Sequence, residues 1–256
     1  MSRPLTLTFV QEFAITLESI GGRPGIAVVT AMGVESAGLS RALEVGPWSR
    51  RRRRGWHEGL LAGCPVVLAS CGVGPKAAQR WAEVLLQEYA PQAVILTGVS
   101  GGVAPHVDVG DLVLAESLYD CTSGHITARH RADAGLLELA RLVAGDTLLR
   151  PVAGRRPRVI EGGVATTNRV AGRRAWGEAL AHEHGIVAVE MEGAAIAAAC
   201  AAHDVPLLVV RAVSDIIGRR FQWLSMISNL GPAQRNAERL VFAVVERLGR
   251  LDLDDE

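Results

Sequence analysis

The stretch Val189-Glu190-Met191-Glu192-Gly193, with the run Leu207-Leu-Val-Val-Arg-Ala-Val-Ser214-Asp215 that follows it, sets acidic residues beside apolar ones. A carboxylate costs several kcal/mol to desolvate unless it finds partners, so a fold that places acids against its core usually uses them on a ligand. We therefore predict that the two acidic sites form one pocket.

On both sides of this stretch, short apolar runs bounded by Gly or Pro alternate with segments of helical periodicity. The runs that predict buried strands are Gly25–Thr30, Pro65–Ser70, Gln92–Thr97, 108–119, Val159–Ala165 and Ile186–Val189. The segments that predict helices are Glu35–Leu43, Pro75–Tyr89, Gly193–His203 and Pro232–Leu248. This alternation predicts a single-domain α/β fold of three layers, α/β/α, with a central mixed, mostly parallel sheet.

The chain carries no internal repeat and no linker rich in Pro, Gly or Ser. We predict one domain over residues 25–248, preceded by an N-terminal extension, 1–24, and followed by an acidic C-terminal tail, 249–256.

Composition excludes several classes of function. The 256 residues carry 27 basic and 27 acidic side chains, so no net field points to nucleic acid or to an anionic membrane. The N-terminus lacks a signal peptide pattern, and no uncharged stretch resembles a membrane helix. The four cysteines lie far apart, which favours buried reduced thiols. A cytoplasmic location is the default expectation.

Ligands of α/β sheets bind beyond the carboxyl ends of strands. This rule selects the loops Thr30–Glu35 and Thr97–Gly102, the pair Ser214-Asp215, and the junction where Glu190-Met191-Glu192 leads into a helix. The seven histidines form no ligand cluster, and His182-Glu183-His184 lacks the spacing of a helical zinc pair. We therefore predict no metal.

Each acid also has a plainer interpretation. Glu190 and Glu192 could be exposed acids near a helix N-terminus, where a negative charge favours the helix dipole. Asp215 could be an N-cap, and Glu35 a solvated glutamate in the first turn of a helix. The residues alone leave these alternatives open.

At these positions the chain resembles the nucleoside phosphorylase and nucleosidase superfamily, most closely the methylthioadenosine/S-adenosylhomocysteine nucleosidases. The resemblance spans roughly Gly25 to Leu248 and implies a phosphorylase/hydrolase-like fold. Its motifs are Ala31-Met32-x-x-Glu35, Thr97-Gly98-x-x-Gly101-Gly102-x-Ala104-Pro105, Val109-Gly110-Asp111, Val189–Glu192 and Val210–Asp215.

The resemblance implies hydrolysis of an N-glycosidic bond in a purine nucleoside, without a cofactor, by a homodimer. Asp215 would protonate N7 of the departing base, and Glu35 would deprotonate the attacking water. Glu192, with Met191 packed on the sugar, would bind the ribose hydroxyls. The other residues expected to bind substrate are Met32, Val99, Ser100, Gly101, Asn168, Val170, Glu190 and Ser214.

Two alternatives stay open: a phosphate-dependent nucleoside phosphorylase, and a nucleoside-binding protein without turnover. Purine phosphorylases of the superfamily place an arginine where this chain has Leu96, and Glu35 would repel phosphate, so we favour water as the nucleophile. The run Arg50–Arg54 is the counter-argument, although a charge run is usually a solvated loop.

The substrate pocket departs from the methylthioadenosine pattern. Asn168 stands where an Asp is common, and Val170 stands where an aromatic residue stacks on adenine. The segment 120–133 carries Arg129, His130 and Arg131, which makes it more polar than the corresponding loop of the family. The expected substrate is therefore methylthioadenosine, S-adenosylhomocysteine or another 5′-modified purine nucleoside, such as futalosine, and these departures argue against methylthio as the 5′ group. Phe221 and Trp223 could be core residues or could cap the ligand pocket, and the large area that an aromatic side chain buries favours the core.

Overall fold

Strands and helices alternate along the chain, as the apolar runs predict. The computed structural model describes residues 25–44, 56–170, 174–220 and 222–253. The strands are β1 (Ile26–Thr30), β2 (Trp56–Leu61), β3 (Cys64–Ser70), β4 (Ala93–Gly102), β5 (Leu112–Asp120), β6 (Ala128–Arg131), β7 (Val159–Thr166), β8 (Ile186–Glu190) and β9 (Leu207–Ile216). The α-helices are α1 (Ala37–Ala42), α2 (Pro75–Tyr89), α3 (Ala134–Asp146), α4 (Arg174–His184), α5 (Gly193–Ala202) and α6 (Gln222–Leu253).

Two apolar cores lie on opposite faces of the sheet. Alternate residues of a strand point to opposite faces. In β1, Ala27 and Val29 join the core beneath α2 and α5, while Ile26 and Val28 join the core beneath α1, α3 and α6. Both faces are thus covered, which confirms the predicted three-layer α/β domain.

The sheet closes on itself at one end. The strand order is β2-β3-β1-β4-β8-β7-β5-β6, and β9 pairs with both β4 and β5. The pairings β4–β8, β8–β7, β7–β5, β5–β9 and β9–β4 therefore form a closed circuit of five strands. The sheet is mixed: β1–β3, β1–β4, β4–β9, β5–β7 and β7–β8 run parallel, and the other pairings between named strands run antiparallel.

Two predicted loops are in fact strand. The glycine-rich segment Thr97–Gly102 is the second half of β4, and Ser214-Asp215 lies inside β9. The register between these strands shifts between Ser100 and Gly101, where Ser214 is the extra residue of β9. The prediction failed because glycines usually end strands, whereas here they let neighbouring side chains approach the backbone.

Helix α6 begins ten residues before the predicted start, since Pro232 lies inside it rather than at its first turn. It continues to Leu253, so residues 249–253 of the predicted tail are helical. Trp223, in its first turn, is 60% exposed, and its assignment to the core was wrong. Phe221 and the extension 1–24 lie outside the described residues.

All four cysteines are free and buried, as expected. Among the described residues, no helix is long and apolar enough to cross a membrane.

Candidate active site

Arg211 lies at the centre of a buried group of carboxylates. Its side chain comes from the middle of β9 and is 0% exposed. Its Nη2 donates to Oε2 of Glu190 and, at 3.4 Å, to Oε2 of Glu192. The negative charge of Glu35, after those of Glu190 and Glu192, also raises the pKa of Arg211. We call Glu35, Glu190, Glu192 and Arg211 the charged cluster.

Gly98 makes the charged cluster possible. A Cβ built at this position of β4 would lie 2.4 Å from Arg211 Nη1 and 2.9 Å from Glu35 Oε1. Any side chain at residue 98 would therefore displace either the guanidinium or the carboxylate. The conspicuous glycines of this segment serve close approach rather than a turn.

Glu190 ends β8 and turns its carboxylate inward, with 1% of the residue exposed. Its oxygens accept the backbone N–H groups of Glu192 (2.9 Å) and Gly193 (2.8 and 3.0 Å) and the hydroxyl of Thr166. The carboxylate thus binds the first N–H groups of α5, where the helix dipole favours negative charge. Glu190 lies near a helix N-terminus, as one interpretation held, but it is buried rather than exposed.

Glu192 is the residue just before α5 and is also buried. Its Oε1 accepts the backbone N–H of Gly74 at 2.8 Å, which anchors it to the turn before α2. Burial and, next, the negative charge of Glu190 raise the pKa of Glu192 to about 7, despite the opposing effect of Arg211. This carboxyl changes its protonation state near neutral pH.

Glu35 lies in the short 3-10 helix Gly33–Ser36 and is 2% exposed, so it is not a solvated glutamate. Its Oε2 accepts the backbone N–H of Met32 at 2.8 Å, and its Oε1 accepts that of Val99 at 3.1 Å. Gln234 of α6 donates to its backbone carbonyl. Two backbone N–H groups therefore fix the carboxylate of Glu35, and α6 fixes its backbone.

Asp215 lies four residues beyond Arg211 in β9, roughly 13 Å along an extended strand. Its Oδ1 accepts the hydroxyl of Ser214 at 2.6 Å, and its Oδ2 accepts the side-chain amide of Gln222 at 2.7 Å. Burial raises the pKa of Asp215 more than these two donors lower it. The residue belongs to a strand and does not cap a helix. We call Asp215, Ser214 and Gln222 the neutral end of the site.

Apolar side chains adjoin the neutral end. Val170 packs with Ile217 against Gly101, where a Cβ would lie 2.5 Å from Ile217 and 3.0 Å from Val170. Asn168 is exposed, and its amide donates at 2.6 Å to the carbonyl of Thr122. The side chain that replaces the family's Asp is thus bound to the chain's own loop.

The remaining predicted residues lie on or directly beside the segments that carry the acids. Val99 and Ser100 lie in β4 beside β9, and the Ser214 hydroxyl is 3.3 Å from the carbonyl of Ser100. Met191 is partly buried, and its methyl group lies 3.9 Å from the position of a Cβ at Gly74. Met32 is partly exposed. The structure therefore gathers the predicted acids and their neighbours along β4, β8 and β9.

Sequence reasoning missed two residues of this arrangement. Arg211 was taken as part of an apolar run, although a lone arginine inside a predicted buried strand demands a buried partner. Gln222 carried no signal, because its role depends on where α6 begins. Arg50–Arg54 lie outside the described residues. Within the described ranges, no group of three or more His, Cys, Asp or Glu side chains could hold a metal ion.

The sequence as a whole is similar to known proteins. The model of the Phosphorylase superfamily matches residues 25–246. A 5′-methylthioadenosine/S-adenosylhomocysteine nucleosidase of Chromohalobacter salexigens is 32% identical over 238 residues, covering 88% of this chain and 97% of the relative. The chain belongs to the phosphorylase superfamily.

Solved structures show the same fold. The 5′-methylthioadenosine/S-adenosylhomocysteine nucleosidase of Neisseria meningitidis, in complex with methylthio-immucillin-A, matches with a TM-score of 0.74 and 27% identity, over 87% of this chain and 98% of that one. The futalosine hydrolase of Helicobacter pylori shares the fold with a TM-score of 0.74 at 20% identity, over 88% and 98% of the two chains. The resemblance stated from the sequence motifs is thus confirmed.

Proposed function

We propose that this protein hydrolyses the N-glycosidic bond of a purine nucleoside, carrying a modified 5′ position, and releases the free base. The observation that carries the proposal is the pairing of the charged cluster with the neutral end along one strand. Arg211 and Asp215 lie four residues apart, a backbone separation of at most roughly 13 Å, so one nucleoside can reach both ends. The named activities of the relatives support the same reaction class.

In this proposal Asp215 is the general acid. Its raised pKa favours the protonated carboxyl, which can donate to N7 of the purine. As the glycosidic bond breaks, its electron pair moves to the base, and the proton on N7 neutralises the charge that develops there. Val170 and Ile217 would provide an apolar wall for the base.

Glu35 and Glu192 act at the ribose. A sugar that loses its base develops positive charge in the transition state, which nearby carboxylates stabilise. Glu35 would take a proton from the attacking water, and Glu192 would accept hydrogen bonds from ribose hydroxyls. Glu190 contributes by fixing Arg211 and the start of α5, because protein groups already occupy both of its oxygens.

Water, rather than phosphate, is the proposed nucleophile. Three carboxylates surround one arginine in the charged cluster, and that arginine already contacts Glu190 and Glu192. A phosphate dianion placed there would meet repulsion rather than a guanidinium fork.

A cytoplasmic homodimer is part of the proposal. The first turns of α6 expose Trp223, Leu224 and Ile227, and exposed apolar clusters of this kind often mark contacts with another chain. Light scattering of the purified protein measures the oligomeric state directly, and a monomer at micromolar concentration would contradict the dimer.

Base release from a panel of nucleosides tests the function. The panel is methylthioadenosine, S-adenosylhomocysteine, futalosine, adenosine and inosine, each with and without inorganic phosphate. We expect release without phosphate, and greater release from a 5′-modified nucleoside than from adenosine or inosine. Release only with phosphate would identify a phosphorylase, and tight binding without release would identify a binding protein. The Glu35→Gln protein, purified identically, controls for contaminating activity.

A further inference from the structure

Gln222 holds the second oxygen of Asp215. The amide Nε2 of Gln222 donates to Oδ2 at 2.7 Å, while Ser214 occupies Oδ1. Among the described residues, no cation forms an ion pair with Asp215. The two groups that donate hydrogen bonds to its carboxylate are both neutral. Gln222 has no counterpart among the motifs that relate this chain to the family.

The amide of Gln222 is fixed at both of its ends. Its Oε1 accepts the backbone N–H of Gly218 at 3.1 Å, so the amino group must be the part that faces Asp215. Gly218 has φ of +75°, and a Cβ there would lie 2.5 Å from the backbone nitrogen of Arg174. Glycine therefore keeps this turn tight and the N–H directed at Gln222. In addition, Ser225 donates to the carbonyl of Ser214 at 3.4 Å, which ties the start of α6 to β9.

A fixed N–H donor discriminates between the two states of a carboxyl group. Hydrogen bonds to an ionised acceptor are roughly twice as strong as those to a neutral one. Gln222 therefore stabilises Asp215 more after the proton has left than before. Such an interaction grows along the reaction coordinate and contributes to kcat rather than to substrate binding.

We propose that Gln222 is a positioning residue that stabilises the Asp215 carboxylate while its proton passes to the purine. The inference rests on the proposed function. In the step, the O–H bond of Asp215 breaks, the N7–H bond forms, and the glycosidic electron pair passes to the base. Gln222 keeps its own protons throughout.

Gln222→Met tests this role, because methionine keeps the length of the side chain and removes the donor. We expect kcat for base release to fall about 10- to 100-fold, with KM changed less than about threefold. Loss of the donor also raises the pKa of Asp215, so the alkaline limb of the kcat/KM profile moves up by about one pH unit. Gln222→Glu, which replaces the donor by a negative charge, should move this limb further in the same direction.

Two variants make the result decisive. Glu246→Gln, at an exposed pair with Arg250 farther along α6, changes a surface side chain of the same helix and should leave the pH profile unchanged. Asp215→Asn separates the two ideas: normal turnover in this variant overturns the acid role of Asp215 and with it that of Gln222, whereas absence of base release by the wild-type protein overturns the proposed function itself. If Asp215→Asn is inactive while both Gln222 variants keep the wild-type profile, only the role of Gln222 is overturned. A lower kcat without movement of the alkaline limb overturns it as well.

Discussion

The charged cluster and the neutral end place the same kind of side chain in opposite electrostatic surroundings. The buried carboxylates of Glu190 and Glu192 pair with Arg211 at one end, with Glu35 nearby, whereas the described partners of Asp215 at the other end are a hydroxyl and an amide. Burial alone raises the pKa of a carboxyl, and a neighbouring cation lowers it. The comparison shows that one strand, β9, raises the pKa of a buried acid at one point and pairs carboxylates with a cation four residues away.

The largest expected effect comes from removing the cation. Arg211→Met should lower the free energy of unfolding by about 3–5 kcal/mol, because the buried carboxylates lose their only described cationic partner. Urea denaturation measures the loss. Arg250→Met, at an exposed pair with Glu246, is the matched control and should cost about 0.5 kcal/mol or less. A loss below about 1 kcal/mol in Arg211→Met would mean that the cluster does not depend on its cation.

Variants at the charged cluster and at the neutral end should differ in how their turnover depends on pH. Glu35→Gln and Asp215→Asn should each lower kcat by about two orders of magnitude or more, as expected for the loss of a general base or acid. The residual activity of Asp215→Asn should lack the alkaline limb that titration of this carboxyl produces. Steady-state base release across pH checks both points. Near-normal turnover in either variant would refute the role proposed for that residue.

The raised pKa of Glu192 predicts a dependence of stability on pH. The folded chain holds the proton up to about pH 7, whereas the unfolded chain releases it near the ordinary value of 4.5. Between these values the unfolded state binds fewer protons, so the free energy of unfolding falls as pH rises through the window. We expect Glu192→Gln to remove a fall on the order of 1–3 kcal/mol. Denaturation of both proteins between pH 4.5 and 8 measures the difference, and parallel curves would contradict it.

The smallest expected effect lies beside the neutral end. Val170→Phe should lower KM for a purine nucleoside roughly fivefold, since an aromatic face stacks on the base by about 1 kcal/mol or more. Val170→Leu adds bulk without a π face and is the control. Equal KM values for the two variants would show that the base does not lie against residue 170.

Much of the fold could be predicted from the sequence. The strands β1, β3, β7 and β8 and the helix α2 match their apolar patterns closely, because buried strands and amphipathic helices follow local periodicity. The extension of β4 and β9 through the predicted loops could not be predicted from local sequence, because it depends on pairing between strands that are distant in the chain. The start of α6 was also missed. Pro232 predicted the first turn of the helix, but the helix begins at Gln222 and Pro232 lies inside it.

The candidate site was predicted through its acids rather than through their partners. Glu35, Glu192 and Asp215 stood out by type and spacing, and all three are buried in the structure. Arg211 and Gln222 were not recognised, because a partner is defined by distance in space. Glu190 was expected to bind substrate, and its protein partners make a positioning role the better hypothesis.

The closed circuit of β4, β8, β7, β5 and β9 also bears on how the molecule opens. Backbone amides inside a ring of paired strands exchange with solvent only when several ladders separate together, whereas strands at a sheet margin, here β2 and β6, can fray one at a time. The strands that carry Val99, Glu190, Arg211 and Asp215 all belong to the ring. Slow amide exchange should therefore coincide with the strands of the candidate site, and local opening at the margins should leave the spacing between Glu35 and Asp215 intact.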